Sequence, residues 1–193
     1  MRRALVSITL TFGALATIGC SDYAYRSAAA TTANPQVAAY RVPAQAPHGQ
    51  VVVRSSGITA LPAEANQPGK ALQVSLTVAN DGVLPWLVDT RKTTIVLPDG
   101  DERAPALSVS ALGSNGPIVA VPVGSARTIQ LYYALSPDEQ HARQLPGFAT
   151  RWQVETAHGT LQGETRFHRV KVDGVTMPCG AHASEYCLSG YAS

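Results

Sequence analysis

Three cysteines and five histidines are the side chains of this chain best suited to chemistry. Two of the cysteines close a short loop, Cys179-Gly-Ala-His-Ala-Ser-Glu-Tyr-Cys187. In an exported chain the natural reading of such a pair is a disulfide, which in the loop-entropy view contributes roughly 2 to 3 kcal/mol and pins the C-terminal tail 174–193. The alternative makes Cys179, His182 and Cys187, helped by Glu185, soft ligands for a metal, although their spacing matches no standard zinc pattern. A third reading leaves both thiols reduced and without a role. His48, His141, His158, His168 and His182 are scattered along the chain. No two of them have the i, i+4 helical spacing of a metalloprotease site, and no serine occupies a Gly-x-Ser-x-Gly elbow. Unrelated surface histidines are the expectation. Asp99, Asp101 and Glu102 gather at one turn and offer oxygen to calcium, but they fall short of a full ligand series and read as a solvated turn. No catalytic residue, metal site or cofactor is assigned, and a non-enzymatic role is expected. Hydrolysis through His158 or His168 is the least favoured alternative.

The chain starts with Met1-Arg2-Arg3 and an apolar run from Ala4 to Ile18. A charged start followed by an apolar stretch too short to span a bilayer comfortably is the pattern of a secretory signal peptide, here 1–19. Thr17-Ile18-Gly19-Cys20 follows directly. It resembles the lipobox of bacterial lipoproteins, with Thr17 where that family usually has an aliphatic residue. The resemblance implies acylation of Cys20, a permanent membrane anchor through several acyl chains and a location in the cell envelope. Ser21 rather than Asp after the cysteine favours outer-membrane sorting in such families. An ordinary signal peptide, with Cys20 left as a spare thiol, is the alternative.

Removal of Arg2 and Arg3 leaves 13 of the 15 basic residues against 13 acidic ones. A neutral domain lacks the basic surface that drives nucleic-acid binding through counterion release, so nucleic acid is excluded as a partner class. With 45% hydrophobic and 15% charged residues the remainder is a globular chain with a core. From Cys20 to Gly49, Ala, Ser, Thr, Pro and Gln dominate without a sustained period. This segment is expected to be a flexible linker spanning on the order of 30 Å, with Tyr23, Tyr25 and Tyr40 incidentally exposed, and with the membrane interface or docking on the domain as the alternatives for them.

Residues 50–173 change character. Leu72, Val74, Leu76 and Val78 alternate with Gln73, Ser75 and Thr77, ending in Asn80-Asp81-Gly82. Further strands are expected at 51–53, 86–88, 93–97 and 127–133, and a hairpin through His158-Gly159 into Leu161–Val172. Ser136-Pro137-Asp138-Glu139 has a capping-box pattern and predicts one short helix near 137–145. Such strand spacing points to an all-β fold, an antiparallel β-sandwich, with a small closed barrel as the alternative. One of Trp86 and Trp152 and one of Tyr132 and Tyr133 are expected in the core. The alternation turns Tyr133 inward and Tyr132 outward, where an exposed Tyr132 would suit partner binding.

Leu72–Val78 running into Asn80, Thr94–Gly100 with its Pro-Asp-Gly turn, and Val121-Pro-Val-Gly124 leading into Ile129–Leu135 resemble the immunoglobulin-like domains of secreted bacterial antigens and envelope lipoproteins. The resemblance covers roughly Val51 to Val172. It implies binding, display or assembly in preference to catalysis, with an envelope protein as the partner and edge-strand pairing as the contact. A small-ligand or metal-binding lipoprotein using the Cys179–Cys187 loop is the second reading.

Overall fold

The period-two run at Leu72–Val78 forms the middle of a strand whose four apolar side chains are all fully buried, with the intervening polar residues on the outer face. The computed structural model describes residues 23–29, 36–110, 116–141 and 144–171. Twelve strands carry them: β1 (Tyr23–Ser27), β2 (Val37–Arg41), β3 (Gly49–Ala60), β4 (Lys70–Asn80), β5 (Trp86–Asp89), β6 (Thr94–Val96), β7 (Glu102–Arg103), β8 (Leu107–Ser110), β9 (Ile118–Val121), β10 (Ser125–Ala134), β11 (Gly147–Thr156) and β12 (Gly159–Lys171).

The strands form two antiparallel sheets. One has the order β2-β3-β4-β10-β8, and the other runs β1-β12-β11-β5-β9 with β6 and β7 attached beside β11. Within the first sheet β3, β4, β10 and β8 follow the A-B-E-D order of an immunoglobulin-type sandwich. In the second, β12, β11 and β5 follow G-F-C. The expected all-β sandwich is therefore the fold. Its core is the inner face of both sheets, including Val51, Val53, Leu72, Leu76, Val88, Ile95, Ile129, Leu131, Tyr133 and Val154. Both tryptophans go inside, where one of the two was expected: Trp86 and Trp152 are each almost fully buried. Trp152 lies over its cross-strand partner Gly163, whose missing side chain makes room for the indole.

Two expectations are corrected. The segment 20–49 is not a flexible linker across its described part. β1 pairs with β12 from Tyr23↔Lys171 to Ser27↔Phe167, and β2 pairs with β3 from Val37↔Arg54 to Arg41↔Gln50. Aromatic burial drives this docking. Tyr25 is 2% exposed, packs edge-on against Phe148 at 5.3 Å and donates its hydroxyl hydrogen to the Leu145 carbonyl at 3.0 Å. Burial pushes the Tyr25 phenol up to about 12, so it stays a neutral donor. Tyr40 tilts against Trp152 and its hydroxyl meets Thr165 Oγ1 at 2.9 Å. Because β1 belongs to one sheet and β2 to the other, the N-terminal segment closes one side of the sandwich. β8, β9 and the two-residue β7, which pairs only with β6, remain as the sheet edges of the other side.

The second correction concerns the helix near 137–145, which is a single 3-10 turn at Pro137–Glu139. Its capping box forms as expected, and Arg103 clamps Glu139 through both carboxylate oxygens at 2.7 and 2.9 Å. The turn goes no further because 137–144 has no apolar stripe to bury and Pro146 disfavours helix in the residue before it. No helix among the described residues is long and apolar enough to cross a membrane.

Candidate functional site

Asn80 organises one end of the sandwich. Its side chain is fully buried at the end of β4, with Nδ2 donating to the Leu84 carbonyl at 2.9 Å and to the Val121 carbonyl at 3.0 Å. Oδ1 accepts from the Gly82 amide at 2.9 Å, and the Asn80 carbonyl accepts from the Gly124 amide at 2.7 Å. One residue thus fixes the loop 81–85, the end of β9 and the Pro122–Gly124 turn against one another. An asparagine suits this place because its amide supplies both the donors and the acceptor that a buried loop backbone needs.

Beside this hub lies a half-open cleft of about 230 Å³, lined by His48, Asp81, Gly82, Val83, Leu84, Trp86, Ala157 and His158. His48 arrives on the loop before β3 and is anchored by its backbone, which bonds to Val42 and to Asp81. His158 stands in the two-residue turn of the β11–β12 hairpin, where Thr156 pairs with Gly159. The two imidazoles meet edge-to-face at 6.4 Å, and His48 meets Trp86 in the same manner at 6.0 Å. Trp86 reaches below Gly49, where a side chain would collide with the indole. Around Gly82 the position of a missing Cβ lies 3.0 Å from Asn80 Oδ1, 3.4 Å from His48 and 3.6 Å from Trp86 Nε1. The glycine therefore leaves a small cradle between a carbonyl oxygen, an imidazole and an indole N–H.

The exposed large apolar side chains of the described residues are Val83, Leu84, Leu87, Ile118 and Val123. They fall on the loop 81–85, on β5, on its neighbour β9 and in the turn after β9, all held by the Asn80 hub or by the β5–β9 pairing. β9 reads Ile-Val-Ala-Val and forms a sheet edge without a charged residue. At four residues between Pro117 and Pro122 it is a short edge, apolar and without charge.

The other residues singled out in the sequence behave differently. His48 and His158 come together, against the expectation of unrelated histidines, whereas His141 bonds only Gln144 and His168 faces outward on β12. Tyr132 faces outward as expected but is half-buried rather than exposed, accepting a hydrogen bond from Gln73 beside the edge strand β8. Asp101 and Glu102 are engaged by Arg103 and Arg151. Among the described residues no three His, Cys, Asp or Glu side chains are arranged to hold a metal. Cys20, Cys179, His182, Glu185 and Cys187 lie outside the described residues. Asn80 and the cleft were missed, since His48, the run from Asp81 to Trp86, and His158 come from three separate stretches. The Asn-Asp-Gly that closes the clearest strand was the available signal.

No family model matches the chain, and no curated protein matches it. Among solved structures it is similar to the X-ray structure of Northeast Structural Genomics Consortium target SoR45, with 14% identity and a TM-score of 0.36, over 65% of this chain and 88% of that one.

Proposed function

We propose that the chain is a lipid-anchored, non-enzymatic binding module of the bacterial envelope, taking an extended strand of a protein partner along β9. The observation that carries this reading is the gathering of exposed apolar side chains on β5, β9 and the adjoining loops, beside an uncharged sheet edge. Main-chain pairing along β9 supplies affinity, and Leu87 and Ile118 supply apolar contact for alternate side chains of the incoming strand.

The path of β1 supports display of this surface. Tyr23 sits opposite Lys171, whereas the cleft end lies at Gly159, the other end of the 13-residue strand β12. At about 3.3 Å per residue the two ends are roughly 40 Å apart. A lipid on Cys20 is separated from Tyr23 by Ser21 and Asp22 alone, at most about 11 Å of chain. In this reading the domain is held close to the bilayer by the Tyr23–Lys171 end, with the loop end directed away.

The test is expression in a double-membraned host with a fatty-acid label. The native chain is expected to take up label and fractionate with outer membranes, and Cys20→Ala to be unlabelled and released. Photo-crosslinkers at Ala120 on β9 and at Arg166 on β12 then compare the β9 edge with the far side of the same sheet. One defined envelope protein captured from Ala120 alone supports the module. Equal capture from both positions, or a labelled Cys20→Ala protein, overturns it.

A further inference from the structure

We infer that the outer face of the sheet β2-β3-β4-β10-β8 is a binding surface for a polysaccharide that bears carboxylates. Its five strands carry Arg41, Arg54, Lys70 and Arg127 and not one Asp or Glu. In the strands of the other sheet the acids Asp89, Glu102, Glu155 and Glu164 all stand in ion pairs with basic side chains. Charge is therefore divided unevenly between the two sheets of a neutral domain. Inward burial of Val51 and Val53 turns Arg54 outward on β3, and that of Ala38 turns Arg41 outward on β2. Neither arginine makes an ion pair or a side-chain hydrogen bond among the described residues. Arg54 is half-buried, and its Nε is shut off from solvent without an acceptor, whereas its two Nη groups are neither buried nor bonded. The stem is thus packed in place and the outer edge of the guanidinium is open. A cation held in this way binds an anion with little further ordering, and a carboxylate matches its fork with two oxygens.

Around the arginines the face offers uncharged donors and acceptors. Gln73 uses both Nε2 hydrogens on Gln130 Oε1 and the Tyr132 hydroxyl, each at 3.2 Å, which leaves Gln73 Oε1, Gln130 Nε2 and the Tyr132 hydrogen for an outside partner. Thr77 and Thr128 share one hydrogen bond at 2.9 Å and keep one hydroxyl hydrogen over. Ser75 lies between Gln130 and Arg54 in the cross-strand register. The exposed large apolar side chains of the described residues all lie elsewhere, on β5, β9 and the loops beside them. This face therefore lacks the apolar anchors that carry contacts between proteins. Arg41 and Arg54 stand on neighbouring strands, their backbones about 14 Å apart. That spacing suits single charges set along a hydroxyl-rich polymer, whereas a nucleic-acid strand carries a phosphate about every 3.4 Å. Glu64 borders the face at Tyr132, where its carboxylate adds to burial in raising the phenol. It repels an acidic ligand there and leaves the side of Arg41 and Arg54 to bind it. Because this surface belongs to the opposite sheet from β9, the inference holds whether or not β9 takes a strand and whether or not Cys20 carries lipid.

The experiment is an NMR titration of the full mature Cys20→Ala chain labelled with 15N in its amides. The probes are a short oligogalacturonate, the same oligomer as its methyl ester, and an oligoglutamate of equal charge. With oligogalacturonate the amides of β2, β3 and β4 are expected to shift and saturate while those of β12 stay in place. The ester is expected to bind at least about tenfold more weakly, the factor that loss of a charge-assisted hydrogen bond implies. Oligoglutamate, which offers charge without ring hydroxyls, should also bind more weakly than the saccharide. Arg54→Gln should weaken binding by about tenfold with a melting temperature no lower than that of the parent, and Arg54→Lys, which keeps the charge and loses the fork, should fall between the two. Arg41→Gln should weaken it several-fold, and Arg166→Gln, on the other sheet, should leave it unchanged. No saturable shift with oligogalacturonate, an ester that binds as well as its acid, or full affinity in Arg54→Gln would each overturn the assignment. Oligoglutamate binding as tightly as the saccharide would overturn it in favour of an acidic polypeptide.

Discussion

Replacing Tyr25 tests whether the N-terminal strand belongs to the domain, on which the close-held geometry depends. A tyrosine in a solvated linker can be removed at a cost within about 0.5 kcal/mol. Tyr25 instead contributes a ring packed on Phe148, which itself stacks on Phe167 at 4.9 Å, and a hydroxyl that satisfies the Leu145 carbonyl. Tyr25→Phe keeps the ring and strands that carbonyl, for about 1 to 2 kcal/mol. Tyr25→Ala also removes the buried ring, and by analogy with phenylalanine truncations it should cost about 3 to 5 kcal/mol. The difference between the two variants isolates packing from hydrogen bonding. Urea unfolding of the unlipidated Cys20→Ala chain gives both values, provided the denaturant slope is unchanged between variants. A Tyr25→Ala protein as stable as its parent refutes the argument at its root. β1 would then be undocked, the full length from Cys20 to β2 would become tether, and the roughly 11 Å bound on the anchor would fall.

Three further outcomes follow from other contacts. Arg103 holds the Glu139 carboxyl down at about 2, below its ordinary 4.5. Because the folded value is depressed, the pair contributes its stability above the ordinary carboxyl range and loses it as pH falls from about 4.5 toward 2. With both side chains about one-fifth exposed the contribution is discounted for solvent to about 1 to 2 kcal/mol, so Glu139→Gln should lose that much less stability than the parent between pH 6 and 3 in urea melts. Equal losses would remove the pair from the account. Asn80→Asp sets a carboxylate against the Leu84 and Val121 carbonyls and should cost about 3 kcal/mol or more, with hydrogen exchange rising first at the Gly82 and Gly124 amides. Gly163→Ala drives a methyl into the Trp152 indole and should cost about 1 to 3 kcal/mol by thermal unfolding, and a neutral outcome would show that the indole can slide.

How far the sequence could be read differs from element to element for physical reasons. β4 and β10 were legible because one face of each is buried against the opposite sheet and the other is not, which writes a period of two into the residues. The β11–β12 hairpin was legible from its turn, where Gly159 takes a φ of +124° that other residues rarely adopt. β1 and β2 were not. Tyr23-Ala-Tyr-Arg-Ser27 does alternate, but it is short and surrounded by linker-like composition, and its stability comes from Phe148 and Leu145, more than a hundred residues away in the chain. The helix near 137–145 failed in the opposite direction. A capping box marks where a helix can start, and Ser136 and Glu139 do form one, but continuation needs an apolar face to bury. Local signals thus located a turn without fixing its length.

The candidate site was illegible for a related reason. Sheet registers bring His48, Asp81, Trp86 and His158 to one end of the sandwich, and a register is a property of strand pairs that no single segment records. What could be read was the residue that holds that end together. An Asn-Asp-Gly after an error-free alternation marks a turn, and in a two-sheet fold the strand-to-strand turn at β4 must cross from one sheet to the other. A crossing loop buries backbone groups that neither sheet satisfies, so it needs a side chain with donors and an acceptor. Asn80 is that side chain, and the loop it holds carries Asp81, Gly82, Val83 and Leu84, half of the cleft lining. The part of the site that is structural could therefore have been inferred from the strand and its turn. The facing histidines could not, because they depend on where β3 and β12 begin relative to β4.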